Sequence, residues 1–181
     1  GDTMQNIDRI QRISRLMRLF CTIAIPAIPL TLALMWLNFE LWGRTHPELA
    51  AYQPLPQPMP MMSLILGFVV SMIPGGLAVY AVLRLRQLFD FYAQGLIFTA
   101  ENIRCLRGFA LATLGFALVK PIAGALMSVV LTMTNPPGQR MLAISFGSSE
   151  LTTLFVGCVF LIIAWIMDEG RELAEEQAQI I

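Results

Sequence analysis

Apolar residues fill four long stretches of this chain, and charged residues collect almost entirely between and beyond them. Residues 19–39 hold 21 positions without a charge, residues 59–83 hold 25, and residues 109–133 are interrupted only by Lys120. The fourth stretch, 148–167, has 17 uncharged positions from 151 onward, with the apolar run 143–146 available upstream. A helix rising ~1.5 Å per residue needs ~20 such positions to cross ~30 Å of hydrocarbon, so each stretch predicts a transmembrane helix. The breaks carry loop punctuation: Pro47, Pro54, Pro56, Pro58 and Pro60 in the first, an arginine-rich stretch over 84–107, then Asn135-Pro136-Pro137-Gly138. The expected architecture is all-α and polytopic, with a basic segment over 4–18, a four-helix transmembrane bundle over 19–167 and an acidic extension over 168–181.

Helical spacing continues past the hydrocarbon stretches. Leu85, Leu88, Phe89 and Tyr92 keep an apolar stripe between Arg84, Arg86 and Asp90, so the second helix is expected to run on until Gly95. Thr99 reads as the N-cap of the third helix, and Glu101 suits its positive end. In the tail, Asp168, Glu169, Glu172, Glu175 and Glu176 accompany Leu173, Ala174, Gln177, Ile180 and Ile181, which predicts an amphipathic acidic extension of the fourth helix.

Composition sharpens the class. Hydrophobic residues make up 56% and charged residues 13%, with a mean hydropathy of +0.68; this excludes an ordinary soluble enzyme and a disordered chain. Lys+Arg and Asp+Glu number 12 each, so no overall basic field exists and no direct nucleic-acid binding is expected. Local placement is uneven. Arg9, Arg12, Arg15 and Arg18 precede the first span, and Arg84, Arg86, Arg104 and Arg107 lie between the second and third, whereas the other loops hold only Arg44 and Arg140. Positive loops stay in the cytoplasm, so both termini are expected there, with Trp36 and Trp42 at the outer interface. Met4 is the expected natural start, and the first span is too long for a cleavable signal. Cys21, Cys105 and Cys158 all fall outside the oxidising outer space, so no disulfide is expected.

Lys120 is the one basic residue inside a span. A charge at membrane depth is costly, so it reads either as a ligand or ion site or as a structural partner of Glu150 or Glu40. Pro26, Pro29 and Pro74 share one depth, near the midplane. Pro74-Gly75-Gly76 is the sharper signal, because proline frees a carbonyl and the glycines allow unwinding, as in the broken helices of transporters. Gly67, Ser71 and Gly75, and likewise Gly124 and Ser128, show the small-x-x-x-small spacing of close helix packing, within one chain or in a homo-oligomer. Met59, Met61 and Met62 stand near His46 in sequence; thioethers and imidazole suit Cu(I), but methionine also serves as flexible packing and no closed coordination set is formed. No cofactor, metal site or catalytic constellation is expected, and the chain does not read as an enzyme.

The run Leu88-Phe89-x-x-Tyr92-x-x-Gly95-x-x-Phe98-Thr99-x-x-Asn102-x-x-x-Leu106-Arg107, with the tail Glu169-Gly170-x-x-Leu173-x-x-Glu176, resembles an uncharacterised family of four-span bacterial inner-membrane proteins (domain of unknown function two-nine-seven-five). The resemblance covers most of the chain and implies no catalytic residues. It implies a neighbour: members are often encoded beside a very small helix-turn-helix regulator, so the family reads as a membrane partner for a transcription factor. The family's acidic Glu-Leu-Thr-Ile-like end is replaced here by Ala178-Gln179-Ile180-Ile181.

Two classes of function follow. In the first, Arg84, Arg86, Phe89, Tyr92, Asn102, Arg104 and Arg107 together with Asp168, Glu169, Glu172, Leu173 and Glu176 form a dock for that regulator. In the second, Lys120 and Pro74-Gly75-Gly76 form the midplane site of a transporter or small-ligand receptor.

Overall fold

The computed structural model describes residues 2–179, so Ile180 and Ile181 of the expected tail stripe lie outside the described residues. Each apolar stretch becomes a helix longer than its hydrocarbon portion, because no proline interrupts the polar turns that continue it, and the glycines there, Gly108 and Gly170, lie inside unbroken helix. Helix α1 (Asp2–Leu37) takes up the basic N-terminal segment and passes through Pro26 and Pro29. A single π-helical turn (Phe39–Gly43) and the one-turn helix α2 (Pro47–Ala50) follow. Helix α3 (Met61–Ala93) runs unbroken through Pro74-Gly75-Gly76. It ends as expected at Gly95, whose φ of +80° only glycine adopts readily, with the Gly95 amide donating to the Tyr92 carbonyl at 3.1 Å.

Helix α4 (Ala100–Thr132) opens on Thr99, whose hydroxyl oxygen accepts the Asn102 amide at 3.3 Å. Helix α5 (Ser148–Gln179) closes the described chain and includes the acidic extension. The apolar run 143–146 does not join α5. It lies in an extended segment that returns along α4, where the Met141 amide donates to Thr132 Oγ1 at 2.9 Å and the Ala143 amide to Ser128 Oγ at 3.0 Å. Those hydroxyls satisfy its backbone, which is how non-helical chain survives against an apolar surface. The start of α5 is set by Glu150, which reaches back to accept the Gly147 amide at 2.8 Å.

All four long helices are apolar and long enough to cross a membrane. They are arranged as an open row: α1 packs on α3, α3 on α4 and α4 on α5, with no comparable contact joining α1 to α5 among the described residues. Lipid tails are as apolar as the side chains, so nothing forces the edges to close. The small-residue stripes serve packing within the chain. Gly67 seats the Trp36 ring where a Cβ would overlap it, Trp36 Nε1 donates to Ser71 Oγ at 3.1 Å, and Gly75 faces Leu32. Trp36 is therefore buried between α1 and α3, against the expectation of an interfacial ring, whereas Trp42 is exposed.

The two ends of the row differ. At one, Trp36, Phe39, Leu49, Tyr52, Leu55, Met59, Met127 and Leu131 form a core in which the segment 39–60 caps α4. The arginine end has a smaller cluster of Leu88, Cys105, Leu106 and Ala164.

Candidate functional site

Lys120 lies 13 positions from Arg107 on α4, whereas Glu150 lies 18 positions from Asp168 on α5. Since Arg107 meets Asp168 at 3.1 Å, the unequal rises of ~20 and ~27 Å leave a gap of ~7 Å. The lysine chain spans it by reaching toward the capped end. Its Nζ stands 3.3 Å from Glu150 Oε1 and 2.9 Å from Glu48 Oε1. Glu150 is the expected partner. Glu48 was not anticipated: it is carried down by α2, because Pro47 starts that turn and the Tyr52 hydroxyl, donating to the Gly124 carbonyl at 3.2 Å, pins the loop on α4. Burial raises the Tyr52 phenol above its ordinary value, with the nearby Glu48 adding to the shift, so it remains a donor at neutral pH.

Glu40 does not reach Lys120. Its carboxylate holds Arg44 at 2.6 and 3.0 Å and accepts the Met59 amide at 2.9 Å, while Arg44 also donates to the Pro56 carbonyl and lies over the Phe39 ring. Asn135 Nδ2 ties the two loops of this end by donating to the Pro54 carbonyl at 2.9 Å and to Gln139 at 3.2 Å. Met59 is buried in the capped core, whereas Met61 and Met62 point outward; no group of three His, Cys, Asp or Glu residues placed to hold a metal occurs among the described residues. Gly75 faces α1 and Lys120 faces the Glu150 end of α5, so the elements of the midplane hypothesis are not brought together.

At the arginine end, the expected docking residues divide. Asn102 is fully buried and donates through Nδ2 to the carbonyls of Leu96 and Ile97, closing the turn before α4, which removes it from any surface. Tyr92 packs against the local cluster and makes an edge-to-face contact with Phe89, ring centroids 6.4 Å apart. Arg84 lies along α3 with Nε donating to the Tyr80 hydroxyl at 3.0 Å, and Arg86 donates to Thr22 Oγ1 at 2.8 Å. Arg104 is exposed without an ion pair or side-chain hydrogen bond among the described residues. Asp168 joins Arg107 to Arg171, and Arg171 also holds Glu175. Glu169, Glu172, Leu173 and Glu176 stay exposed on the part of α5 that runs past this cluster.

Residues 39–181 match the family model described as "Protein of unknown function (DUF2975)". No curated protein and no solved structure matches the chain.

Proposed function

Since the chain belongs to the family described as "Protein of unknown function (DUF2975)", we propose that it is a non-enzymatic regulatory protein of the bacterial inner membrane that holds a small helix-turn-helix transcription regulator at its arginine end. In this reading that end, with both termini, faces the cytoplasm, as the eight arginines placed there favour. The observation that carries it is the acidic extension of α5. From Asp168 to the last described turn the helix rises ~17 Å beyond the Arg107 contact, with Glu169, Glu172 and Glu176 beside an exposed Leu173. A negative face with an apolar anchor complements the basic helix with which such a regulator reads DNA, and occupying that helix would keep it from its operator.

The alternative of a transporter or small-ligand receptor has less support. Lys120 is matched by two carboxylates, Pro74-Gly75-Gly76 sits in an unbroken helix, and the two features face different neighbours.

The test is co-purification of the regulator encoded beside this chain, with the full-length protein and with a form lacking residues 170–181, at low and high salt. Recovery with the full chain, loss on truncation and weakening by salt are expected; equal recovery from both forms, or none from either, overturns the reading.

A further inference from the structure

The two edges of the helix row carry opposite charge at the same level. On α1, Ser14 is buried toward α3, and Arg12 and Arg15 point away from that contact into solvent together with Arg9. None of these three arginines takes part in an ion pair or side-chain hydrogen bond among the described residues. On the same helix Ile7, Ile10, Ile13 and Leu16 remain 40–51% exposed, although they precede Arg18, the last arginine before the first span. On α5, Ala164 is buried toward α4, and Glu169, Glu172 and Glu176 project from the other side with Leu173. Glu169 and Glu176 are unpaired among the described residues, and Glu172 has only a 3.9 Å approach to Arg171.

Contacts across the row fix the register. Arg86 meets Thr22 and Arg18 meets Asp90 between α1 and α3. Arg84 lies on Gly108 and Leu77 on Gly115 between α3 and α4. Phe109 meets Phe160, and Leu114 meets Gly157, between α4 and α5. Carried from helix to helix, these pairs put Arg15 within about one residue, ~1.5 Å, of the level of Glu172 and Arg12 within about two residues, ~3 Å, of that of Glu176.

We propose that two copies of this chain pair edge to edge in the membrane, α1 of each lying antiparallel against α5 of the other, with Arg12 and Arg15 facing Glu172 and Glu176. The antiparallel direction is the one already used between every neighbouring pair in the row. Each copy owns one basic and one acidic edge, so a two-fold axis along the membrane normal satisfies both at once and leaves no edge open. Pairing also covers Leu16, one turn from Arg12 on the same face, an apolar group that lies beyond the membrane boundary and is otherwise left to water. Like-charge contact of α1 with α1, or α5 with α5, is disfavoured by the same residues, so the charges select the partner edge. This goes beyond the regulator reading. A basic regulator on the acidic edge would have to displace α1 of the second copy.

The test uses two differently tagged copies co-expressed in membranes, with Cys21, Cys105 and Cys158 replaced by Ala, one carrying Arg15→Cys and the other Glu172→Cys. Oxidation should join the two tags, whereas Arg15→Cys alone should give no dimer. Reversing Arg12 and Arg15 to Glu in the copy that carries Glu172→Cys, which leaves the cross-linked contact itself intact and breaks the symmetry-related one, should lower the yield ~tenfold or more. Adding Glu172→Arg and Glu176→Arg to the copy that carries Arg15→Cys should restore it, and a cysteine-free chain bearing all four reversals should still co-purify with a differently tagged copy of itself, which also shows that the exchanged surfaces fold. A disulfide formed only within a chain carrying both cysteines, a yield indifferent to charge reversal, or capture of Glu172→Cys by a small protein in place of this chain would overturn the pairing.

Discussion

At the capped end, Trp36 stacks on Phe39 with ring centroids 5.3 Å apart, and both are joined by Leu49, Tyr52, Leu55, Met59, Met127 and Leu131 in one core. At the arginine end, the core shrinks to Leu88, Cys105, Leu106 and Ala164, and the helices run past it linked by half-exposed ion pairs such as Arg18 with Asp90 and Arg107 with Asp168. Packing of this kind is worth several kcal/mol per large side chain, whereas an exposed ion pair is worth ~0–1 kcal/mol. One end is thus committed to holding the chain together. The other leaves its charges in half-exposed pairs weak enough to exchange.

The largest expected effect lies where the two outer forces coincide. Trp36→Ala removes the ring from its seat on Gly67, its bond to Ser71 and its stack on Phe39, and should cost ~3–5 kcal/mol. Gly67→Leu should be comparably damaging, because the buried ring has no free space to move into. Thermal unfolding in detergent is the measurement. The same assay on Arg18→Ala should move little, and an equal shift would mean that the arginine end is as firmly built as the capped one.

The helices, the stop at Gly95 and the cap at Thr99 were legible because each rests on a local rule: hydrocarbon thickness, positive φ, a free amide. The Lys120 to Glu150 pair was legible for a related reason, since a short connection makes α4 and α5 neighbours. Glu48 was not. Its place depends on a proline-rich loop without periodicity folding back across α4, and nothing in residues 44–60 taken alone says which helix they cover. Trp36 misled because an aromatic at a span's end satisfies the interface rule and the packing rule equally; only the Gly67-Ser71-Gly75 face of another helix decides between them. Asn102 misled in the same way, as a polar residue in a charged stretch whose amide is spent on two carbonyls only a few positions upstream. The open row was illegible too, since closure depends on pairs far apart in sequence.

A smaller effect separates buried from exposed ion pairs. Glu150 has a side chain only 11% exposed, against 62% for Glu48. A double-mutant cycle on Lys120→Met and Glu150→Gln should therefore give a coupling of ~0.5–3 kcal/mol. The cycle with Glu48→Gln should fall near the lower limit of that range, and the cycle on Arg107 and Asp168 at the other end lower still. Additive behaviour of Lys120 with Glu150 would show that the lysine does not depend on its carboxylates, and would return it to the candidates for a ligand.

The smallest effect concerns pH. Glu40 carries its charge on an exposed turn, yet the Arg44 guanidinium and then the Met59 amide hold its carboxyl below the ordinary value of 4.5. A depressed carboxyl contributes stability that is present above its unfolded value and lost as pH falls through the folded one. The clip from Glu40 through Arg44 to Pro56 should therefore stay closed at neutral pH and loosen only in acid below about 4.5. Hydrogen exchange of the Met59 amide, corrected for its intrinsic rate, reads this directly, because that amide donates to the Glu40 carboxylate at 2.9 Å. Protection should fall on acidification in the natural chain and be low and flat across the same range in Glu40→Gln. The capped core beneath should not respond, since Trp36 and Leu131 owe their positions to packing and not to charge. Acid loosening that spread to those residues would make the clip a condition of the core, and the contrast between the two ends would then be one of degree.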